Sequence, residues 1–131
     1  MYTPPPRVLV AENQYLIAME VERILHENLA CKVRITPTSG LAEEINADAY
    51  DVVILDAALA APLNVERATL ILATGAVPVF FRSYDHFPDA GTTVSSCPMI
   101  SKPPQPDELT AAVLDAMRRK SSDGKGLLGD R

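Results

Sequence analysis

What the chain has little of narrows it first. No apolar stretch approaches the ~20 residues that a membrane helix needs, and Met1 to Pro6 has neither the basic region nor the apolar core of an export signal. A soluble, cytoplasmic protein without a membrane partner is expected. There are only two cysteines, Cys31 and Cys97. Both fall near predicted strands that would be far apart in the sheet, so reduced thiols are expected and not a disulfide. Basic residues nowhere form a patch and the net charge is -5, which argues against a nucleic-acid partner because neutralising phosphates takes concentrated positive charge. A Gly-rich phosphate loop is missing too: Ala73 to Val77 fits neither the dinucleotide nor the nucleotide-triphosphate pattern. His26 and His86 lack zinc-ligand spacing around them and read as solvated residues. Asp48, Asp51 and Asp56 are separated by apolar residues, which places them about a strand and not in a calcium loop.

What remains is an ordinary globular balance, with 131 residues, 47% of them apolar and 22% charged. A chain of this size makes one domain that buries about 65% of its unfolded surface without disulfide or metal staples. The expected organisation is an extended leader over 1–6, where Pro4, Pro5 and Pro6 cannot donate ladder hydrogen bonds, one domain over 7–120, and a tail without fixed structure over 121–131.

Within the domain, strand and helix patterns alternate. Arg7 to Ala11, Lys32 to Thr36, Ala49 to Leu55, a segment opened by Pro78 and running to Phe81, and Met99 with Ile100 read as strands. Ile17, Val21, Ile24 and Leu25 recur at three- and four-residue steps and predict a helix over Gln14 to Leu29. A short helix is expected near Leu41 to Ala47, with Ser39 as N-cap and Leu41, Ala42 and Ile45 inward. Leu63, Ala68, Leu70, Ile71 and Leu72 suggest another between Pro62 and Thr74, stopped by Gly75. The segment 85–96, with Pro88 and Gly91, allows at most a short or frayed helix. Asp107 can cap a last helix whose stripe is Leu109, Ala112, Val113, Ala116 and Met117 and which ends in Arg118, Arg119 and Lys120. Such alternation implies an α/β fold, a parallel sheet with right-handed crossovers and helices on both faces.

In a parallel sheet the polar residues that end each apolar run converge on one edge. The run Val8 to Ala11 ends in Glu12 and Asn13, Val52 to Leu55 ends in Asp56, Val77 to Phe81 gives way to Arg82 and Ser83, and Ile100 leads to Ser101 and Lys102. Outside the carboxyl ends of the strands lies the usual ligand crevice of open α/β sheets, so Glu12, Asn13, Asp56, Ser83 and Lys102 form the candidate site.

Four segments, Val8 to Asn13, Asp51 to Asp56, Pro78 to Ser83 and Lys102-Pro103, stand in the order and spacing of one family. Over roughly Arg7 to Arg119 the chain resembles the receiver domain of two-component response regulators. The run Asn13 to Glu20 is similar to stand-alone bacterial receivers that have no output domain. The resemblance implies a flavodoxin-like doubly wound sheet of five parallel strands in the order 2-1-3-4-5. It implies a signalling acceptor and not an enzyme, apart from self-catalysed transfer and hydrolysis of its own phosphoryl group. A histidine kinase or phosphotransfer protein would donate to Asp56, with Lys102 contacting the phosphoryl oxygens and Ser83 bonding the group afterwards. Mg2+ would be held by Glu12, the residue at Asn13, Asp56 and the backbone carbonyl of Ala58, and a cis bond before Pro103 would aim Lys102 inward. A downstream protein target would bind the face formed by 85–96, the fifth strand and the last helix; homodimer formation is left open.

Three positions depart from the family pattern. Asn13 stands where an aspartate usually binds the metal, and the loss of one charge predicts weak Mg2+ binding. Counting from Pro78 puts Ser83 in the hydroxyl position, whereas counting back from Tyr84 puts Arg82 there; the strand length is the firmer anchor. Met99 replaces a common aromatic switch residue. These departures support a rival expectation, a degenerate receiver that binds partners without phosphorylation. A small flavodoxin-like ligand-binding enzyme is the third, disfavoured by the missing phosphate loop.

Overall fold

A computed structural model describes the backbone of residues 4–82 and 97–129 and the side chains among them through Lys120. Five parallel strands, β1 (Arg7–Ala11), β2 (Lys32–Thr36), β3 (Val52–Asp56), β4 (Val77–Arg82) and β5 (Met99–Ser101), form one sheet in the order β2-β1-β3-β4-β5. The described helices are α1 (Tyr15–Asn28), α2 (Leu41–Ala47), α3 (Ala61–Ala73) and α4 (Pro106–Gly129). This is the flavodoxin-like arrangement that the alternation and the resemblance imply.

The central strands are apolar on both faces because helices cover both. Val8, Val10, Val52, Ile54 and Phe81 pack with Val21, Ile24 and Leu25 of α1 and Leu109, Val113 and Ala116 of α4. Leu9, Ala11, Val53, Leu55 and Phe80 pack with Leu41 and Ile45 of α2 and Ala68 and Ile71 of α3. Alternate side chains of one strand thus feed two cores, as the two-residue period requires. Asp56 follows Val52 and Ile54 in this alternation, where β3 leaves the core.

Local chemistry moved several boundaries. Thr38–Gly40 is a 3-10 turn and α2 starts from Gly40 with no side-chain cap, so Ser39 does not cap it. Ala42 is exposed because only Leu41 and Ile45, one turn apart, face the sheet. Asp107 lies inside the first turn of α4, which Pro106 opens, a position where proline's missing N-H costs nothing. In α3 the inward residues are Asn64, Ala68 and Ile71, whereas Leu70 and Leu72, which the sequence pattern counts with them, are 40% exposed. Gly75 ends α3 with a φ of +95°, a left-handed value that favours glycine.

Strand β4 opens at Val77, one residue before Pro78. Val77 N-H donates across to Asp51 and Phe80 N-H to Pro98, so even-numbered positions face β5. Pairing with β5 begins at Phe80, and Pro78 therefore sits where no neighbour asks for its N-H. The helical backbone of α4 continues to Gly129, beyond the end expected at Lys120. No proline follows Lys120, and glycine weakens a helix by about 1 kcal/mol without blocking it.

Neither cysteine is in a disulfide; Cys31 is half-buried and Cys97 buried. Among the described residues no helix is long and apolar enough to cross a membrane.

Candidate functional site

Three strand ends build the site. Glu12 follows β1 directly and is 3% exposed; its backbone N-H donates to Thr36 at 2.9 Å, which seats the turn after β1 against the end of β2. Asp56 is the last residue of β3, paired in register with Phe81 of β4. Lys102 follows β5, and the Lys102-Pro103 peptide is cis, as the resemblance implies.

These three side chains meet. The Lys102 ammonium lies 2.7 Å from Asp56 Oδ1 and 3.1 Å from Glu12 Oε1, and its Nζ sits 5.5 Å above the Phe81 ring. Glu12 Oε1 and Asp56 Oδ1 are buried without any neutral donor; the charge facing them is Lys102. The other Glu12 oxygen, Oε2, accepts the Gln14 N-H at 2.9 Å. Two carboxylates therefore share one ammonium, and Asp56 keeps a side-chain exposure of 32%.

The electrostatics follow from that imbalance. Burial pushes the Asp56 carboxyl above its ordinary value of 3.8; Lys102 pulls it back, and the charge of Glu12 raises it again. Burial alone works against the charge on Lys102, but its hydrogen bonds to Asp56 and Glu12 outweigh this and raise its pKa. A carboxylate in this setting is held next to a cation yet is incompletely neutralised.

The remaining candidates are placed differently. Asn13 is exposed at the rim, and its amide oxygen accepts the Thr38 N-H at 2.8 Å, which braces the turn after β1 against the turn before α2. Ala58 lies two residues beyond Asp56, and its peptide is bonded to Asn64: Ala58 N-H donates to Asn64 Oδ1 at 2.7 Å and Asn64 Nδ2 donates to the Ala58 carbonyl at 2.8 Å. Arg82 ends β4 opposite Ser101, with its Nε donating to Ser101 Oγ at 3.4 Å. Ser83, Tyr84 and His86, like the segment 85–96, lie outside the described residues. Asn64 is the contributor that sequence reasoning missed. It occupies the same stripe as Ala68 and Ile71, and a polar residue on a buried stripe was the available signal.

Whether a divalent cation fits can be judged from the donors. Glu12 and Asp56 present buried carboxylate oxygens toward one point, and the Ala58 carbonyl retains a second lone pair beside its bond to Asn64. Among the described residues no three His, Cys, Asp or Glu side chains are grouped to hold a metal, and the Asn13 amide oxygen, which brings no charge, accepts the Thr38 N-H. The carboxylate oxygens of Glu12 and Asp56, which meet at Lys102, suit a hard cation whose shell water completes. A cavity of about 600 Å³ between α2 and α3, lined by Leu41, Ala42, Leu63 and Leu70, shares no residue with this cluster.

No family model and no curated protein matches the chain. Solved structures do. The signal receiver domain of an HD domain-containing protein from Pseudomonas fluorescens aligns with a TM-score of 0.77 at 18% identity, over 95% of this chain and 96% of that one. A response regulator receiver protein from Sinorhizobium medicae gives 0.74 at 16%, over 88% and 97%. The receiver domain of a modulated diguanylate cyclase from Desulfovibrio desulfuricans gives 0.69 at 23%, over 92% and 99%. The fold is that of a receiver domain. At these identities the likeness is one of architecture, and the chemistry of this receiver fold rests on its own side chains.

Proposed function

We propose that this chain is a receiver that takes a phosphoryl group onto Asp56 from a histidine kinase or a phosphotransfer protein and signals by binding a downstream protein. One observation carries the reading: a partly exposed carboxylate at the tip of β3, 2.7 Å from the Lys102 ammonium. An Asp56 oxygen bonds to phosphorus while the phosphorus-nitrogen bond of the donor histidine breaks, and the imidazole leaves with the bonding pair. The product is a mixed anhydride whose high free energy can drive a conformational change. Lys102 starts between Glu12 and Asp56, so it needs only a small shift to meet phosphoryl oxygens. Glu12, buried and tied to Gln14, stays behind as its anchor. Such transfer is mainly positioning plus charge neutralisation.

Glu12, Asp56 and the Ala58 carbonyl would hold Mg2+, which when bound supplies further positive charge against the phosphoryl oxygens. Ser83 is proposed to bond the phosphoryl group after transfer. The target surface is proposed as β5 and α4 with the segment before them, and the compartment as the cytoplasm. A second reading is favoured by Asn13, a neutral amide that brings no charge to a metal and whose oxygen accepts the Thr38 N-H: a receiver that binds its partner without phosphorylation.

Incubation with acetyl phosphate and Mg2+ followed by intact-mass measurement separates these readings. A phosphate adduct that disappears in Asp56→Asn is expected. A chain that never gains mass supports the constitutive binder, and turnover or a thermal shift with a small ligand, without an adduct, would revive an enzyme.

A further inference from the structure

The mechanism leaves one buried polar side chain unused. Asn64 is 1% exposed, in the first turns of α3, and faces the same way as Ala68 and Ile71. Asparagine is a poor helix former, and a buried amide without partners in such a place would be destabilising. Its cost is offset in one way only: the carboxamide closes on the two ends of a single residue, Ala58, accepting from its N-H at 2.7 Å and donating to its carbonyl at 2.8 Å. The helix itself begins without a side-chain cap at Ala60, so Asn64 is not serving the helix start. What it holds is the loop between Asp56 and α3.

That loop has little else to hold it. Ala57, Ala58, Leu59 and Ala60 carry no polar side chain, Leu59 is 83% exposed, and before Ala58 the Ala57 N-H donates to Phe81 at 2.8 Å. Two peptide anchors therefore follow Asp56 in succession, one on β4 and one on Asn64. The second fixes which way the Ala58 carbonyl and N-H point, two residues from the proposed acceptor.

We propose that Asn64 is a positioning residue for phosphoryl transfer, holding the Ala58 peptide so that the loop after Asp56 keeps the acceptor carboxylate and the Ala58 carbonyl in reactive register. The proposal rests on the receiver reading. Asn64 touches neither donor nor phosphoryl group, so losing it lowers the rate of adduct formation at saturating acetyl phosphate without changing the half-saturating concentration. Misplacement by a fraction of an ångström to 1 Å at a reacting centre is worth about 10- to 100-fold in rate.

The test uses Asn64→Asp, which keeps an acceptor for the Ala58 N-H but opposes the Ala58 carbonyl with an oxygen, and Asn64→Ser, smaller and uncharged. Thermal melts select the variants folded at the assay temperature, and time-resolved intact mass with acetyl phosphate and Mg2+ gives the rates. A fall of about tenfold or more in the saturated rate, with half-saturation unchanged, is expected. Wild-type rates in a folded variant overturn the proposal and leave the receiver reading intact. A wild-type chain that forms no adduct overturns both.

Discussion

The two edges of the sheet carry similar charges and use them in opposite ways. At the edge where the strands begin, Arg7 forks onto Asp48 with two contacts of 2.6 Å and lies 5.1 Å over the Tyr50 ring. Asp51 accepts the Arg7 N-H at 2.8 Å and stands 3.5 Å from Lys120, which also donates to the Gly75 carbonyl at 3.0 Å. Two cations face two carboxylates there, each with a third to a half of its side chain exposed. At the edge where the strands end, Glu12 and Asp56 are both paired, among the described residues, with the single ammonium of Lys102, and Glu12 is almost wholly buried. A balanced, solvated cluster fastens strands to helices. An unbalanced, partly dry one holds its carboxylate in a state that a further positive charge would relieve.

The difference can be broken by removing cations and anions in turn. Lys102→Met should have the largest effect, a loss of about 3 kcal/mol at neutral pH, because Glu12 and Asp56 would then face each other uncompensated. Urea unfolding measures it, and the loss should shrink near pH 4, where a proton takes the place of the ammonium; an undiminished loss would mean that packing on Phe81 was the cause. Asp51→Ala, at the balanced edge, should cost less, about 1–2 kcal/mol by the same assay, since it removes one charged acceptor from the Arg7 N-H.

The smallest effects should have opposite signs. Asp48 is held at about 2, below its ordinary 3.8, chiefly by Arg7. Between those values the unfolded chain binds more protons, so this contribution is complete above about pH 4 and lost as pH falls toward 2. Asp56 is raised above 3.8. Just above that value the folded chain holds its proton more tightly, so its contribution falls as pH rises. Urea midpoints across pH 2 to 7 should show Asp48→Asn flattening the acid side and Asp56→Asn flattening the decline above pH 4. Parallel profiles for both variants would refute the contrast.

Much of this was legible because buried parallel strands leave continuous apolar runs. Lys32–Thr36 was read at its observed bounds, and Glu12, Asp56 and Lys102 were each marked by the end of such a run. Helix ends were less legible: the cap assigned to Ser39 was displaced by a 3-10 turn, a choice made by how the turn meets Asn13, 25 residues away. Asn64 was legible only as a polar residue on a buried stripe, since nothing in its own neighbourhood says that its amide closes on a peptide six residues earlier.

By itself, then, the order of apolar runs and polar endings determined the parallel sheet and the three charged groups at its edge, because period and burial are written locally. Tertiary structure alone decided that one ammonium would be shared by two carboxylates, that Asn13 would brace a turn, and that Asn64 would clamp Ala58. Those outcomes depend on distances of about 3 Å between residues six or more positions apart in the chain, which packing sets and sequence spacing does not record.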